Sequence, residues 1–284
     1  MSGGVTPAKI KELRDRTGVG MGKCKVALTE AEGDIEKAID ILRKQGLASA
    51  AKKEDRAAEE GAIFFAEAED CVAIVEVNAE TDFVVKNERF QEFAKAVAEE
   101  VASSQPESLE ALMEKKCSKD PSMTIDELRG TVVQAIGENI QIKRFLVLSK
   151  SDNRSVGIYS HMGGRLVTAV EIKGADDVAD LAKDIAMHVA AASPDFLKPE
   201  LVPADVIERE KSIAREQLKG KPENIMDKIL DGKVNAFYDQ HCLLHQKFIR
   251  DDSLTISELV KKRAEEKGKD LEVANFTRWS VGAA

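Results

Sequence analysis

No run of apolar residues in this 284-residue chain is long enough to span a membrane, since a crossing helix needs about 20 in succession. The opening "MSGGVTPAKIKEL" lacks the apolar core of a secretory signal and the Arg/Ser-rich character of a transit peptide. Cysteine is scarce. Cys24, Cys71, Cys117 and Cys242 are scattered, with no CxxC spacing, which predicts reduced thiols in a cytoplasmic protein. Excess positive charge is missing too. A formal net charge of −9 disfavours a broad phosphate-binding surface, so a protein partner is expected and direct contact with nucleic acid or membrane is not. Local basic patches such as the "KCK" of residues 23–25 remain.

Catalytic signatures are lacking as well. "GVGMGK" follows no strand and departs from the GxxxxGK[ST] spacing, so this chain is not expected to bind nucleotide. "HCLLH" sets His241 and His245 four apart, which on a helix brings both to one face. A metal-dependent enzyme using that pair is the alternative from another functional class. There is no HExxH glutamate and no flanking cluster of Cys or Asp, and both histidines share a stripe with Val234, Tyr238 and Phe248. Packing histidines are the better reading; no metal and no cofactor are expected. His188 lies on the stripe of Leu181, Ile185 and Ala192 and reads as a hydrogen-bonded core histidine.

What is present is a globular composition, 43% hydrophobic and 33% charged, at a length suited to about two domains. Residues 1–46 read as a three-helix, UBA-like module. Thr6 caps a first helix with Pro7 at its first position and Gly18 past its end; Gly33 closes a second; Asp34 caps a third that ends at Gly46. Ile10, Leu13, Cys24, Ala27, Leu28, Ile35, Ala38, Ile39 and Leu42 are its candidate core. Such a module suits binding and leaves little room for a catalytic cleft. Residues 47–60, rich in Ala and alternating charge, read as an exposed, partly helical linker.

The remainder is duplicated, as residues 61–150 and 151–284. "GAIFFAEAEDCVAIVEVNA" and "VGIYSHMGGRLVTAVEIKG" are each strand, turn, strand, and each precedes an Ala-rich amphipathic helix. Downstream, Thr124, Gly137 and Phe145 match Thr255, Gly268 and Phe276 without a gap. The expected fold is α+β: a duplicated core of small, mostly antiparallel sheets with packed helices. The second copy carries an insertion near residues 199–240 that reads as a helical hairpin turning at "GKP", with a narrow stripe of Val206, Ile213, Ile225 and Ile229. That hairpin is a candidate surface for self-association.

The first copy also has an insertion, about seven residues long, around Thr81, Asp82, Phe83 and Val84. It reads as a loop. Phe83 there is either a plug folded into the core or an anchor for a partner. Its polar neighbours Glu80, Asp82, Lys86 and Asn87, and the absence of the segment from the second copy, favour the anchor.

"LRDRTGVGMGKCKVALTEAEGDIEKAIDILRKQG", "EVNAETDFVVKNERF", "AIGENIQIKR", "GIYSH" and "DIAMHVAAASPDFL" occur in this order and resemble the successive motifs of bacterial elongation factor Ts. Several motifs in register over essentially the whole chain make this a specific resemblance. It implies a translation elongation factor that is no enzyme: a guanine-nucleotide exchange factor for elongation factor Tu, the GTPase that delivers aminoacyl-tRNA. It implies that Asp82 and Phe83 intrude near the Mg²⁺ of that GTPase, with Thr81 and Val84 beside them. It implies further contacts at Ile136 and Gly137 of "IGEN", at His161 of "YSH", at Lys25, and, by a looser match, at Ile249 and Arg250. For His161 the residues alone suggest only a hairpin end. An adaptor that binds without any effect on nucleotide is the competing reading.

Overall fold

The computed structural model describes residues 4–217 and 223–283. The chain divides into two compact units, Met1–Leu148 with Met162–Arg165 and Ser280–Ala284, and Ser149–His161 with Leu166–Trp279.

The first unit begins with α1 (Pro7–Thr17), α2 (Met21–Glu30) and α3 (Ile35–Ala51). The caps fall where the sequence puts them. Thr6 accepts the Lys9 N–H, Asp34 accepts the Lys37 N–H, and Gly18 takes the left-handed φ of 69° that ends α1. Leu13, Cys24, Ala27, Leu28, Ala38 and Leu42 are buried together, with Ile10, Ile35 and Ile39 at the margin. The third helix departs from expectation. It runs through Gly46 to Ala51, and Ala50 is buried in the core of the β-containing part, so residues 47–51 are not an exposed linker. Gly46 is a crossing point: a Cβ there would lie 2.9 Å from the backbone of Gly130. Two glycines facing each other let two helices approach backbone to backbone.

That second helix is α7 (Ile125–Ile136). Between α3 and α7 come β1 (Glu60–Glu67), β2 (Cys71–Ala79), the single turn α4 (Asp82–Val85), α5 (Glu88–Ser104), α6 (Leu109–Glu114) and a tiny hairpin, β3 (Lys116–Cys117) and β4 (Asp120–Thr124). Strand β5 (Ile140–Ser149) completes a sheet of order β1-β2-β5, with β1 and β2 antiparallel. Phe90, Phe93, Val97 and Val101 of α5 pack against Ala73, Val75 and Val77 of β2. The other face of β2 is not solvated. Glu76 and Asn78 are buried, the Glu76 carboxylate accepting Arg144 Nε–H at 2.8 Å and Asn78 Nδ2 donating to Ala58 O at 3.0 Å.

The second unit repeats the plan. β6 (Arg154–His161), β7 (Leu166–Lys173) and β10 (Glu272–Ser280) form a sheet of order β10-β7-β6; α8 (Ala179–Ala192) covers it, β8 (Lys247–Phe248) and β9 (Asp251–Thr255) form the tiny hairpin, and α11 (Ile256–Lys267) follows. The matched residues have matched roles. Thr124 and Thr255 each make a capping box with Glu127 and Glu258, and Gly137 and Gly268 end their helices with φ of 95° and 61°. The fold class is α+β, as expected. The two tiny hairpins escaped sequence reading because one strand of each has only two residues and the other, five residues long, has no alternating buried face.

The insertion consists of α9 (Ala204–Gln217) and α10 (Glu223–His241). Among the described residues, their seam is Ala214 against Leu230, flanked by Met226 and Ile229. Ile213, expected in the stripe, is exposed instead; the neighbouring alanine occupies the narrow contact. The "GKP" turn, residues 220–222, and the side chain of Ile225 lie outside the described residues.

Candidate functional site

The segment expected as a loop at residues 81–84 is a capped helical turn. Thr81 is extended (φ −132°), and its hydroxyl accepts the Val84 N–H at 3.4 Å, the N-cap bond of α4. A turn of four residues cannot stabilise itself, because helix nucleation fixes several dihedrals for one hydrogen bond. Packing holds it from both ends. Val84 is 8% exposed and joins the core cluster of the unit; beyond the turn, Gln91 Nε2 donates to Val85 O at 2.7 Å. The Phe-Val pair thus divides, with Val84 inward as the anchor and Phe83 outward at 80% exposure. Asp82 pairs with Lys86 at 2.8 Å, and that hydrogen bond holds its carboxyl below the usual carboxylate range.

The turn after α7 sits against the base of α4. Glu138 accepts the Thr81 N–H at 3.0 Å and the Thr81 hydroxyl at 2.8 Å, while Glu80 accepts the Asn139 N–H at 2.6 Å. Glu80 also pairs with Arg56 at 3.4 Å, and buried Asn139 donates from Nδ2 to the carbonyls of Glu54 and Arg56. Ile136 is half-buried; Gly137 is exposed and has open space where a Cβ would stand. Thr81, Asp82, Phe83, Ile136 and Gly137 therefore belong to two turns joined by carboxylate hydrogen bonds. On α2, Lys25 is exposed beside Met21 and Val26, each 54% exposed, a small mixed patch on a helix whose other face is core.

In the second unit, His161 ends β6, paired with Leu166, and is exposed. Its ring stacks on Tyr159 at 5.9 Å, and Nδ1 lies 3.2 Å from the tyrosine hydroxyl. Met162, next along the chain, is 68% exposed. Ile249 and Arg250 are the two-residue tip of the β8–β9 hairpin, since Phe248 pairs with Asp251. Ile249 is 46% exposed, and Arg250 pairs with Asp184 at 2.8 Å. Buried His188 supports this tip: its Nδ1 accepts the Ile249 N–H at 3.3 Å and its Nε2 lies 3.0 Å from Gln246 Oε1. An accepting Nδ1 requires the neutral ring with the proton on Nε2, and burial lowers the His188 pKa in the same sense. The first unit uses Glu100 likewise, its carboxylate accepting the Ser118 N–H at 2.9 Å at the tip of β3–β4.

The comparisons with known proteins agree with one another. The family model described as "Elongation factor TS" matches residues 80–283. An elongation factor Ts of Protochlamydia amoebophila is 61% identical over 98% of this chain and 99% of its own length. Those of Chlamydia muridarum and Chlamydia caviae are each 46% identical over 96% of this chain and 97% of theirs. The chain belongs to the elongation factor Ts family. It is therefore a translation elongation factor.

Within this elongation factor fold, the histidines of "HCLLH" do not share a helix face. α10 ends at His241, and His245 falls in a following 3₁₀ turn. His241 stacks on Phe237 at 4.3 Å and bonds Asp195, whereas His245 faces Asp239 at 3.4 Å. Among the described residues, no group of three or more His, Cys, Asp or Glu side chains is placed to hold a metal, and no helix is long and apolar enough to cross a membrane. A cleft of about 780 Å³ opens between α1, α3, α5, α7 and the β3–β4 hairpin, but none of the expected contact residues lines it. The resemblance pointed to Ile136 and Gly137; Glu80 was read only as a polar neighbour of Phe83, and Glu138 and Asn139 were missed. The available signal was a pair of acids, one in each of two motifs carrying expected contacts.

Proposed function

We propose that this protein binds elongation factor Tu in its GDP form and accelerates GDP release, with Phe83 as the wedge and Asp82 beside it. The observation that carries the reading is a large apolar side chain held in water on a fixed, capped turn. An exposed aromatic on a rigid support is a typical anchor for a pocket in a partner.

The chemistry required is displacement rather than bond breaking. Tightly held GDP depends on Mg²⁺ bridging phosphate oxygens and on backbone amides aimed at the anion. A side chain driven between helices of the GTPase weakens both together, because packed elements switch between arrangements instead of bending. By linkage, whatever ratio the factor imposes on GDP affinity, GDP imposes on the affinity for the factor. A ratio of about 10⁴ needs about 5.5 kcal/mol of differential binding, and burial of one Phe supplies about 1.5–3 kcal/mol. The remainder falls to other contacts: Lys25, Ile136, Gly137, His161, Ile249 and Arg250. Thr81 and Val84 serve the site by capping and anchoring the turn.

The test is release of fluorescent GDP from elongation factor Tu with this protein in catalytic amounts. Release accelerated many-fold is the expected result; binding with an unaltered release rate would establish the adaptor reading in its place.

A further inference from the structure

The two turns exchange carboxylates. Glu138 lies beyond α7, yet its two oxygens accept the Thr81 N–H and hydroxyl at 3.0 and 2.8 Å. Glu80 precedes α4, yet its Oε1 accepts the Asn139 N–H at 2.6 Å. Thr81 is the residue that caps the turn bearing Phe83. Each acid is therefore bonded to the main chain of the opposite turn, and hydrogen bonds to an ionised acceptor are stronger than neutral ones.

We propose that Glu138 and Glu80 are positioning residues that aim Phe83 before any partner is met. This inference rests on the exchange reading given above. An exposed anchor on an unrestrained segment would have to be ordered during docking, at the expense of affinity. Here the ordering is done in advance. Val84 fixes the turn from below through the core, and Glu138 fixes its N-terminal end through Thr81. Asn139 continues the brace, its Nδ2 donating to Arg56 O at 2.9 Å and Glu54 O at 3.3 Å. Neither acid needs to touch the partner, because each already has backbone of this chain as its ligand.

The experiment compares Glu138→Ala, Glu138→Gln and Glu80→Gln, each alone and combined with Phe83→Ala. GDP release from elongation factor Tu and amide hydrogen exchange of the free protein are both measured. Glu138→Ala is expected to slow release about ten-fold, the order of magnitude for loss of a charged hydrogen bond. Glu138→Gln keeps one acceptor for the Thr81 N–H and is expected to fall between. In the Phe83→Ala background, Glu138→Ala should add less than about two-fold, because residues acting through one another are not additive. The Val84 and Val85 amides should exchange faster in Glu138→Ala than in the unsubstituted protein. An equal factor in both backgrounds would overturn the inference, since Glu138 would then act independently of the ring. Unchanged amide exchange would overturn it as well, whatever the release assay gave. Failure of the unsubstituted protein to accelerate release would instead refute the exchange reading, and the two failures are distinct. Should Glu138→Ala not fold, the two glutamine variants carry the same comparison.

Discussion

Phe83→Ala separates surface function from core packing. At 80% exposure, Phe83 has only about a fifth of its burial energy realised in the free protein. Full burial of a Phe is worth about 1.5–3 kcal/mol, so truncation should cost the free fold roughly 0.3–0.6 kcal/mol, or about 1–2 °C in Tm. The other four-fifths, roughly 1.2–2.4 kcal/mol, is available only when a partner covers the ring. Acceleration of GDP release should therefore fall about 8- to 60-fold. Stopped-flow release of fluorescent GDP from elongation factor Tu, paired with thermal melts of the isolated variant, gives both numbers. Phe90 is the internal standard: it is fully buried against Phe64, and Phe90→Ala should cost about 3–5 kcal/mol of stability. If Phe83→Ala melted as far below the parent as Phe90→Ala, or left release unchanged, the wedge reading would be wrong.

Stability should fall as the pH drops below about 6.5, the ordinary histidine value, because burial lowers the folded-state pKa of His188 and the unfolded chain takes up the proton first. The loss ends once the pH is below the folded value; urea titrations of His188→Asn, which keeps an acceptor for Ile249 N–H but does not titrate, should lack this component. Gly46→Ala would place a Cβ 2.9 Å from the backbone of Gly130, where no flexible side chain can give way, and should cost about 1–3 kcal/mol in urea unfolding; a neutral result would mean that α3 and α7 do not need their close approach.

Much of the fold was legible because its signals are short-range. Thr6 and Asp34 bond amides three residues on, so cap and helix start are read from one window of sequence. The duplication was legible for a related reason: Gly137 and Gly268 each need a left-handed backbone at the same place in the unit, and glycine supplies it without strain. Local reading failed at Gly46. A glycine after an amphipathic run is a common stop signal, and only a helix some eighty residues further along the chain, bearing Gly130, makes it a crossing point. At β2 it told half the story. Alternation placed Val75 and Val77 on one face, but it did not show that Glu76 and Asn78 are also buried.

By itself the sequence determined the first caps, the long strands that open each copy, the repeat, and the presence of an apolar pair in a polar insertion. Periodicity and capping act over a few residues, so they need no knowledge of the rest of the chain. Tertiary structure alone decided that Val84 turns inward while Phe83 stays in water, and that Glu138 reaches across 57 positions of sequence to hold Thr81. Those outcomes depend on which surfaces meet when the helices and the sheet pack, and a contact between distant segments leaves no periodic trace in either one.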